Sequence, residues 1–296
     1  MVQSSTTLCS RFYAVCATHD ILPGRSLQTF LISMICLSLA AVGQAAPKAA
    51  LWPQWQQHNP ANPATIDFTF WHTFLATYVD TQHPSGIHRV RYASVSTADR
   101  QALQHSIAVL QTLSISTYNR QEQQAYWINL YNALTVSVVL AHWPVASIRD
   151  IRLSGLFRSG PWQAKLLTIE GEKVSLDDIE HRILRPIWQD NRLHYALNCA
   201  SLGCPNLAPM AYTPANMEQL LEQGARTYIN HPRGVSCQED TCTLSSIYVW
   251  FQEDFDGDSA GVRHHLLRYA NDLLAAQLRA YRGKFKHDYD WHLNAP

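Results

Sequence analysis

Between Asn119 and Pro144 the sequence keeps helical spacing without leaving a polar face. Ala125, Tyr126, Trp127, Ile128, Leu130, Tyr131, Ala133, Leu134, Val136, Val138, Val139 and Leu140 are distributed around the whole helix. A helix apolar on every side must be wrapped by other elements, so this segment is predicted to be central and buried. Asn119 and Glu122 supply a capping-box start, and Pro144 lies beyond its end. The run is long enough to raise a membrane span, but Asn129 and Asn132 argue against one in an exported chain. These two amides are three residues apart and share one helix face.

The elements that would wrap it follow from local patterns. Ile66, Phe70, Trp71, Phe74, Leu75 and Tyr78 mark an amphipathic helix. A second is expected after Thr97, with Leu103, Ile107, Leu110 and Leu113 on its apolar side. Glu170-Gly171-Glu172 signals a hairpin between short strands. Ser175 caps a predicted helix through Arg185, with Asp177 and Asp178 in its first turn and Pro186 ending it. Residues 193–198 are expected to form a strand. Thr213 and Pro214 open a helix carrying Leu220, Leu221, Ala225 and Ile229. Residues 235–245 suggest another hairpin, and Ser259 a last long helix to about Arg282, stopped by Gly283. Helices first, then short strands mixed with helices, give an α+β class: a central buried helix, surrounding helices and a small mixed or antiparallel sheet.

With 47% hydrophobic and 16% charged residues, the chain is not of the disordered type. Its formal net charge is zero and no Lys/Arg run occurs, so nucleic acid is not an expected partner. Arg25, the apolar stretch from Leu27 to Val42, and the small residues Gly43, Ala45 and Ala46 describe a signal peptide over residues 1–46. An uncleaved anchor is the alternative, but the stretch falls short of the roughly 20 residues that span a bilayer. Residues 47–64, with Trp52 and Trp55, form an extended lead-in, and residues 65–296 a single domain. The expected location is periplasmic or secreted, with no membrane span after leader removal.

Beyond the leader stand Cys199, Cys204, Cys237 and Cys242. An even number in an exported chain suggests two disulfides, with three possible pairings. Sequential pairing is expected because each pair is local. A four-thiolate zinc site is the alternative, although such sites favour C-x-x-C spacing. The run Asp254, Asp256, Gly257, Asp258 hints at calcium, but Ser259 and His265 stand where an EF-hand loop needs Gly and Glu. No metal or cofactor is expected.

Four ordered blocks resemble one family. They are Tyr126-Trp127-Ile128-Asn129-Leu130-Tyr131-Asn132-Ala133-Leu134; Ser175-Leu176-Asp177-Asp178-Ile179-Glu180-His181 continuing to Leu184-Arg185-Pro186; His194-Tyr195-Ala196-Leu197-Asn198-Cys199-Ala200-Ser201 with Gly203-Cys204-Pro205; and Trp250 with Asp254-Phe255. Over roughly residues 65–260 the chain resembles the domain of unknown function 547 family, as an exported bacterial member. The resemblance implies no settled activity. A weaker, fold-level likeness is to transglutaminase and papain-like thiol enzymes. Their nucleophilic Cys begins the central helix, where this chain has none.

Candidate site residues follow. On a strand, His194 and Asn198 share one face and Cys199 the other, so a Cys199–His194 dyad needs a bend at Asn198. Asn129, Asn132, His194 and Asn198 are predicted to converge, because buried polar groups need partners. Glu180 or His181 is expected near by; as neighbours on a helix they point about 100° apart, one of them inward. Two functions fit these residues. One is a non-catalytic binding or scaffold domain of the cell envelope. The other is a hydrolase or transferase using the cluster around His194 and Asn198, with Cys199 as thiol nucleophile. A thiol–disulfide oxidoreductase is a third, weaker idea, since C-x-x-C is absent.

Overall fold

The structure, a computed structural model, describes residues 47–155, 159–238 and 240–296. The expected leader, with Cys9, Cys16 and Cys36, lies outside the described residues. Helix α1 (Thr69–Tyr78) packs on α2 (Thr97–Gln111), and α2 on α3 (Arg120–Ala141). Of the 22 residues of α3, 17 are buried, which makes it the axis of the larger of two core clusters. Asn119 accepts from the amides of Gln121 and Glu122, as an N-cap does. Glu122 does not complete the box. Its carboxylate accepts from the amide of Ile66 instead, tying the lead-in to the helix start.

Strands β1 (Val79–Asp80) and β2 (Arg89–Val90) form one antiparallel pair, β3 (Leu167–Ile169) and β4 (Glu172–Val174) another. Glu170 and Gly171, both at positive φ, make the turn of the second hairpin. The Glu170 carboxylate also accepts from the amide of Ser116. Ser175 and Asp178 then cap each other reciprocally. The helix they start is not a plain α-helix. It widens into a π-turn, Asp178–Leu184, and continues through Pro186 as α4 (Arg185–Trp188). Pro186 sits in the first turn of α4, where a missing amide proton costs nothing.

Two further expectations are corrected. Residues 193–198 are not a strand: Asn191–Tyr195 is a 3-10 turn. Asp190 accepts from the amide and guanidinium of Arg192, and this local capping overrides the extended preference of the apolar residues. The last long helix is two, α7 (Ser259–Tyr269) and α8 (Asp272–Ala280), following α5 (Met217–Ile229) and α6 (Ile247–Trp250) in the chain. Asp258, not Ser259, is the N-cap of α7, and Asn271 caps α8 after an extended residue, Ala270.

Strands β5 (Val235–Gln238) and β6 (Thr241–Ser245) form the expected hairpin. β7 (Lys286–Asp288) adds to β6 in parallel, so the sheet is mixed. The architecture is α+β. Its second core cluster gathers Tyr195 of the 3-10 turn with Tyr228, Tyr248, Phe255, Leu266 and Leu278 from α5 to α8 and their connections. The likeness to transglutaminase and papain-like enzymes is not supported, since His194 stands on a 3-10 turn. Among the described residues no helix is long and apolar enough to cross a membrane.

The lead-in packs onto this frame. Trp55 is buried edge-on against Trp127 of α3, with ring centroids 5.1 Å apart. Ala50 and Trp52 donate their amides to the carbonyls of His181 and Arg182, and so serve π-turn acceptors. Beyond β7, residues 290–294 cross the loop that follows the 3-10 turn. The amides of Leu202 and Gly203 donate to the carbonyls of His292 and Asp290. Gly203 is needed for that approach, because a Cβ there would lie 2.8 Å from the Asp290 nitrogen.

Candidate functional site

The segment from His194 to Cys204 carries two polar assemblies, one at each end. At the first, the π-turn aims both Glu180 and His181 inward, where a regular helix would have sent one of them out. Its i→i+5 pattern reduces the rotation between neighbours. Tyr131 of α3 donates to Glu180 Oε2 at 3.1 Å, and His194 Nδ1 lies 4.0 Å from Glu180 Oε1. The other imidazole nitrogen, Nε2, donates to Asp254 Oδ2 at 2.6 Å.

Arg185 is the hub. It donates from Nε and Nη2 to the two oxygens of Asp254, from Nη2 to Glu253, and from Nη1 to His181 Nδ1 and the Pro47 carbonyl. Those five bonds use all five guanidinium donors. His181 therefore accepts at Nδ1, which makes it a neutral ring protonated at Nε2. Burial holds its pKa below the usual imidazole value, in agreement. Burial works against the Asp254 carboxylate, but hydrogen bonds from His194 and Arg185 outweigh it and bring its pKa to about 2. Asp177, near His181, is pushed up to about 6 by burial and by Glu180.

The centre of this assembly is buried, while Asp254 and Glu253 at its rim are 20% and 46% exposed. The side chains of His194 and Arg185 are 3% and 2% exposed. Phe251 stacks on the imidazole at 4.2 Å and also lies under the Arg185 guanidinium. A cavity of about 440 Å³, lined by Gln238, Asp240, Gln277 and Tyr281 among others, includes no member of the assembly. Among the described residues no group of three or more His, Cys, Asp or Glu side chains is placed to hold a metal ion.

The second assembly is built on amides. Asn132 donates to the Ala196 carbonyl and accepts from the Asn198 amide, both at 2.9 Å. Asn198 donates to the Pro205 carbonyl and accepts from the Ala200 amide and from Asn294. Thus Asn132 and Asn198 meet, through the backbone of the loop after His194. Asn129 does not join them: it bonds both backbone groups of Tyr212. The predicted single cluster is therefore three sets: His194 with Glu180 and His181; Asn132 with Asn198; and Asn129 alone with Tyr212.

The amide-held loop carries Cys199 and Cys204. Their sulfurs are 2.8 Å apart, longer than the roughly 2.05 Å of a disulfide, and both cysteines are free. The expected Cys199–Cys204 bond is thus corrected to two thiols in contact. Cys237 and Cys242, directly opposed across β5 and β6, are bonded. Cys199 does not approach His194 as a dyad partner. Its sulfur meets Ser201 Oγ at 3.2 Å and Tyr289 Oη at 3.1 Å, while the imidazole is turned to Asp254. Beside Tyr289, the partly buried rings of Trp250 and Trp291 pack on one another, with Arg149 over Trp291 at 5.1 Å.

Tyr131, Arg185 and Asp254 all fall within the four sequence blocks. Tyr289 lies outside the blocks, and nothing in its local sequence marks it.

Residues 115–229 match the model of the family described as "Protein of unknown function, DUF547". No curated protein and no solved structure matches the chain.

Proposed function

We propose that a chain built around this domain serves as a non-catalytic binding or scaffold domain of the cell envelope, exported and then periplasmic or secreted. The observation that carries the reading is the burial of the imidazole at the centre of the first assembly, the His194 side chain being 3% exposed. A catalytic base needs an approach for substrate, and Phe251 stacks over one face of this buried imidazole. The buried amides Asn129, Asn132 and Asn198 have partners for both their oxygen and nitrogen atoms, as structural ties do. The alternative, a hydrolase or transferase built on His194 and Asn198 with Cys199 as nucleophile, lacks the base–nucleophile contact it requires.

For a binding role, the rings of Trp250, Tyr289 and Trp291 with Arg149 offer the residue types that anchor partners most strongly. A photo-crosslinking residue at His292, exposed beside Trp291, should give a discrete adduct in intact envelopes. The same residue at Leu273, on the exposed side of α8, should give none. No discrete adduct at His292 rejects this surface. Hydrolysis or transfer of envelope esters or amides that disappears in folded His194→Ala protein rejects the non-catalytic reading. Export has its own check: the intact mass of envelope protein should correspond to cleavage near Ala45 or Ala46, and a mass that retains Leu27 to Val42 overturns it.

A further inference from the structure

We infer that Cys199 and Cys204 form a two-electron thiol–disulfide couple, with Cys199 the attacking sulfur and Cys204 the resolving one, exchanging with a disulfide of a second thiol-bearing molecule. The inference does not rest on the binding reading above, although Tyr289 belongs to both sites. It starts from a contrast within one chain. Cys237 and Cys242 are bonded, whereas Cys199 and Cys204 touch at 2.8 Å as free thiols. Closing their bond moves the sulfurs together by only ~0.8 Å.

The two sulfurs are not equivalent. Cys199 is partly exposed and Cys204 is buried, so an incoming disulfide meets Cys199. Three donors are within reach of the Cys199 sulfur: the Cys204 thiol, the Ser201 hydroxyl and the Tyr289 hydroxyl. The Cys199 amide donates to the Cys204 sulfur at 2.8 Å, and the Cys204 thiol has the Cys199 sulfur and the Leu197 carbonyl as acceptors. Burial opposes ionisation of Cys199, but those hydrogen bonds outweigh it and hold its thiol below the ordinary value. Burial and the neighbouring Cys199 push Cys204 well above its own. Burial and the Cys199 thiolate likewise raise Tyr289, which stays a donor. A thiolate beside a protonated resolving thiol is the arrangement exchange requires.

The loop keeps that geometry. Ala200, between Cys199 and Ser201, sits at φ +60° with its amide bonded to Asn198. Arg233 donates to the Leu202 carbonyl and to Asn206 on the far side of Cys204. In the forward step the Cys199 thiolate attacks one sulfur of the partner disulfide. A Cys199–partner mixed disulfide forms and one partner thiolate leaves. Cys204 gives its proton to that leaving thiolate and attacks the Cys199 sulfur, which expels the second partner sulfur as a thiolate. The dithiol is oxidised by two electrons and the partner disulfide reduced to two thiols; the reverse reaction oxidises a partner dithiol. The relative reduction potentials set the direction.

The test uses the full mature chain in buffers of varied reduced-to-oxidised glutathione ratio, acid-quenched, alkylated and mapped by mass. The Cys199–Cys204 pair is expected to interconvert between dithiol and disulfide across the series. Cys204→Ser should hold one glutathione on Cys199, and Cys199→Ser should hold none. Tyr289→Phe should slow alkylation of Cys199 roughly tenfold at neutral pH, through loss of a hydrogen bond to the thiolate. A bond that persists at every ratio, glutathione found on Cys204, or thiols inert while the protein is folded would overturn the proposal. Should Cys204→Ser fail to fold, pulse alkylation of reduced wild-type protein decides: Cys199 labelled first supports the couple, and Cys204 labelled first or equally rejects it.

Discussion

Asp177 sits against Glu180 and the neutral ring of His181, with its carboxyl raised to about 6 by burial first and Glu180 second. A raised carboxyl contributes stability that is complete below its unfolded value of 3.8 and lost as pH climbs through 6. Asp177→Asn removes the ionisation and keeps the shape. It is expected to stabilise the protein at pH 8 by about 1–2 kcal/mol and to leave it unchanged at pH 3.5, read from thermal melts at both values. Asp254 has the opposite sign: its lowered pKa gives stability that is present above about 3.8 and lost as pH falls through 2. The amides make a separate prediction. Asn132→Ala leaves the Ala196 carbonyl and the Asn198 amide without partners, and should cost roughly 1–3 kcal/mol by chemical denaturation. The spacing of Asn129 and Asn132 was legible in the sequence. Their partners were not, because each turns to backbone atoms, which carry no residue signature. One helix face therefore ties down two different loops.

Elements read well where capping and periodicity agree. The Asn119 cap, the buried character of α3 and both hairpins follow directly from spacing. They misread where a short polar side chain competes locally. Asp190 coiled an apolar stretch that looked extended, and Asn271 restarted a helix that looked continuous. A π-turn has no sequence pattern of its own, so the joint inward aim of Glu180 and His181 could not be foreseen. The spacing marks residues 47–64 as an extended lead-in carrying Trp52 and Trp55. It also serves as a brace, because its amides occupy π-turn carbonyls and Trp55 fills a place against Trp127. Trp55→Ala is expected to cost about 3–5 kcal/mol, the range for removing a large buried ring. A loss under about 1 kcal/mol would place Trp55 outside the cooperative core.

For the whole molecule, neutral buried histidines set the response to acid. Burial drives His265 down to about 3, and its Nε2 accepts from Tyr195. Between its ordinary value of 6.5 and 3, the unfolded chain binds a proton that the folded chain refuses. Stability therefore falls as pH is lowered through that window, by about 1.4 kcal/mol per pH unit for one such group. Denaturant midpoints at pH 6.5, 5 and 4 should decline accordingly, and His265→Gln should flatten the decline; an unchanged slope would remove His265 as its source. The crossing of the Cys199 loop by residues 290–294 has a consequence in time. The Asn294 carbonyl accepts from the amide of Val90 and its side chain from the hydroxyl of Tyr92, so two hundred residues of chain are ribosome-bound or newly released before these partners can meet. A polypeptide leaving the ribosome amino end first can assemble α1 to α3 early, but the loop bearing both thiols has to wait for its strap. Until residue 289 is made that loop lacks the Tyr289 contact with Cys199, and until residue 294 is made it lacks the Asn294 contact with Asn198.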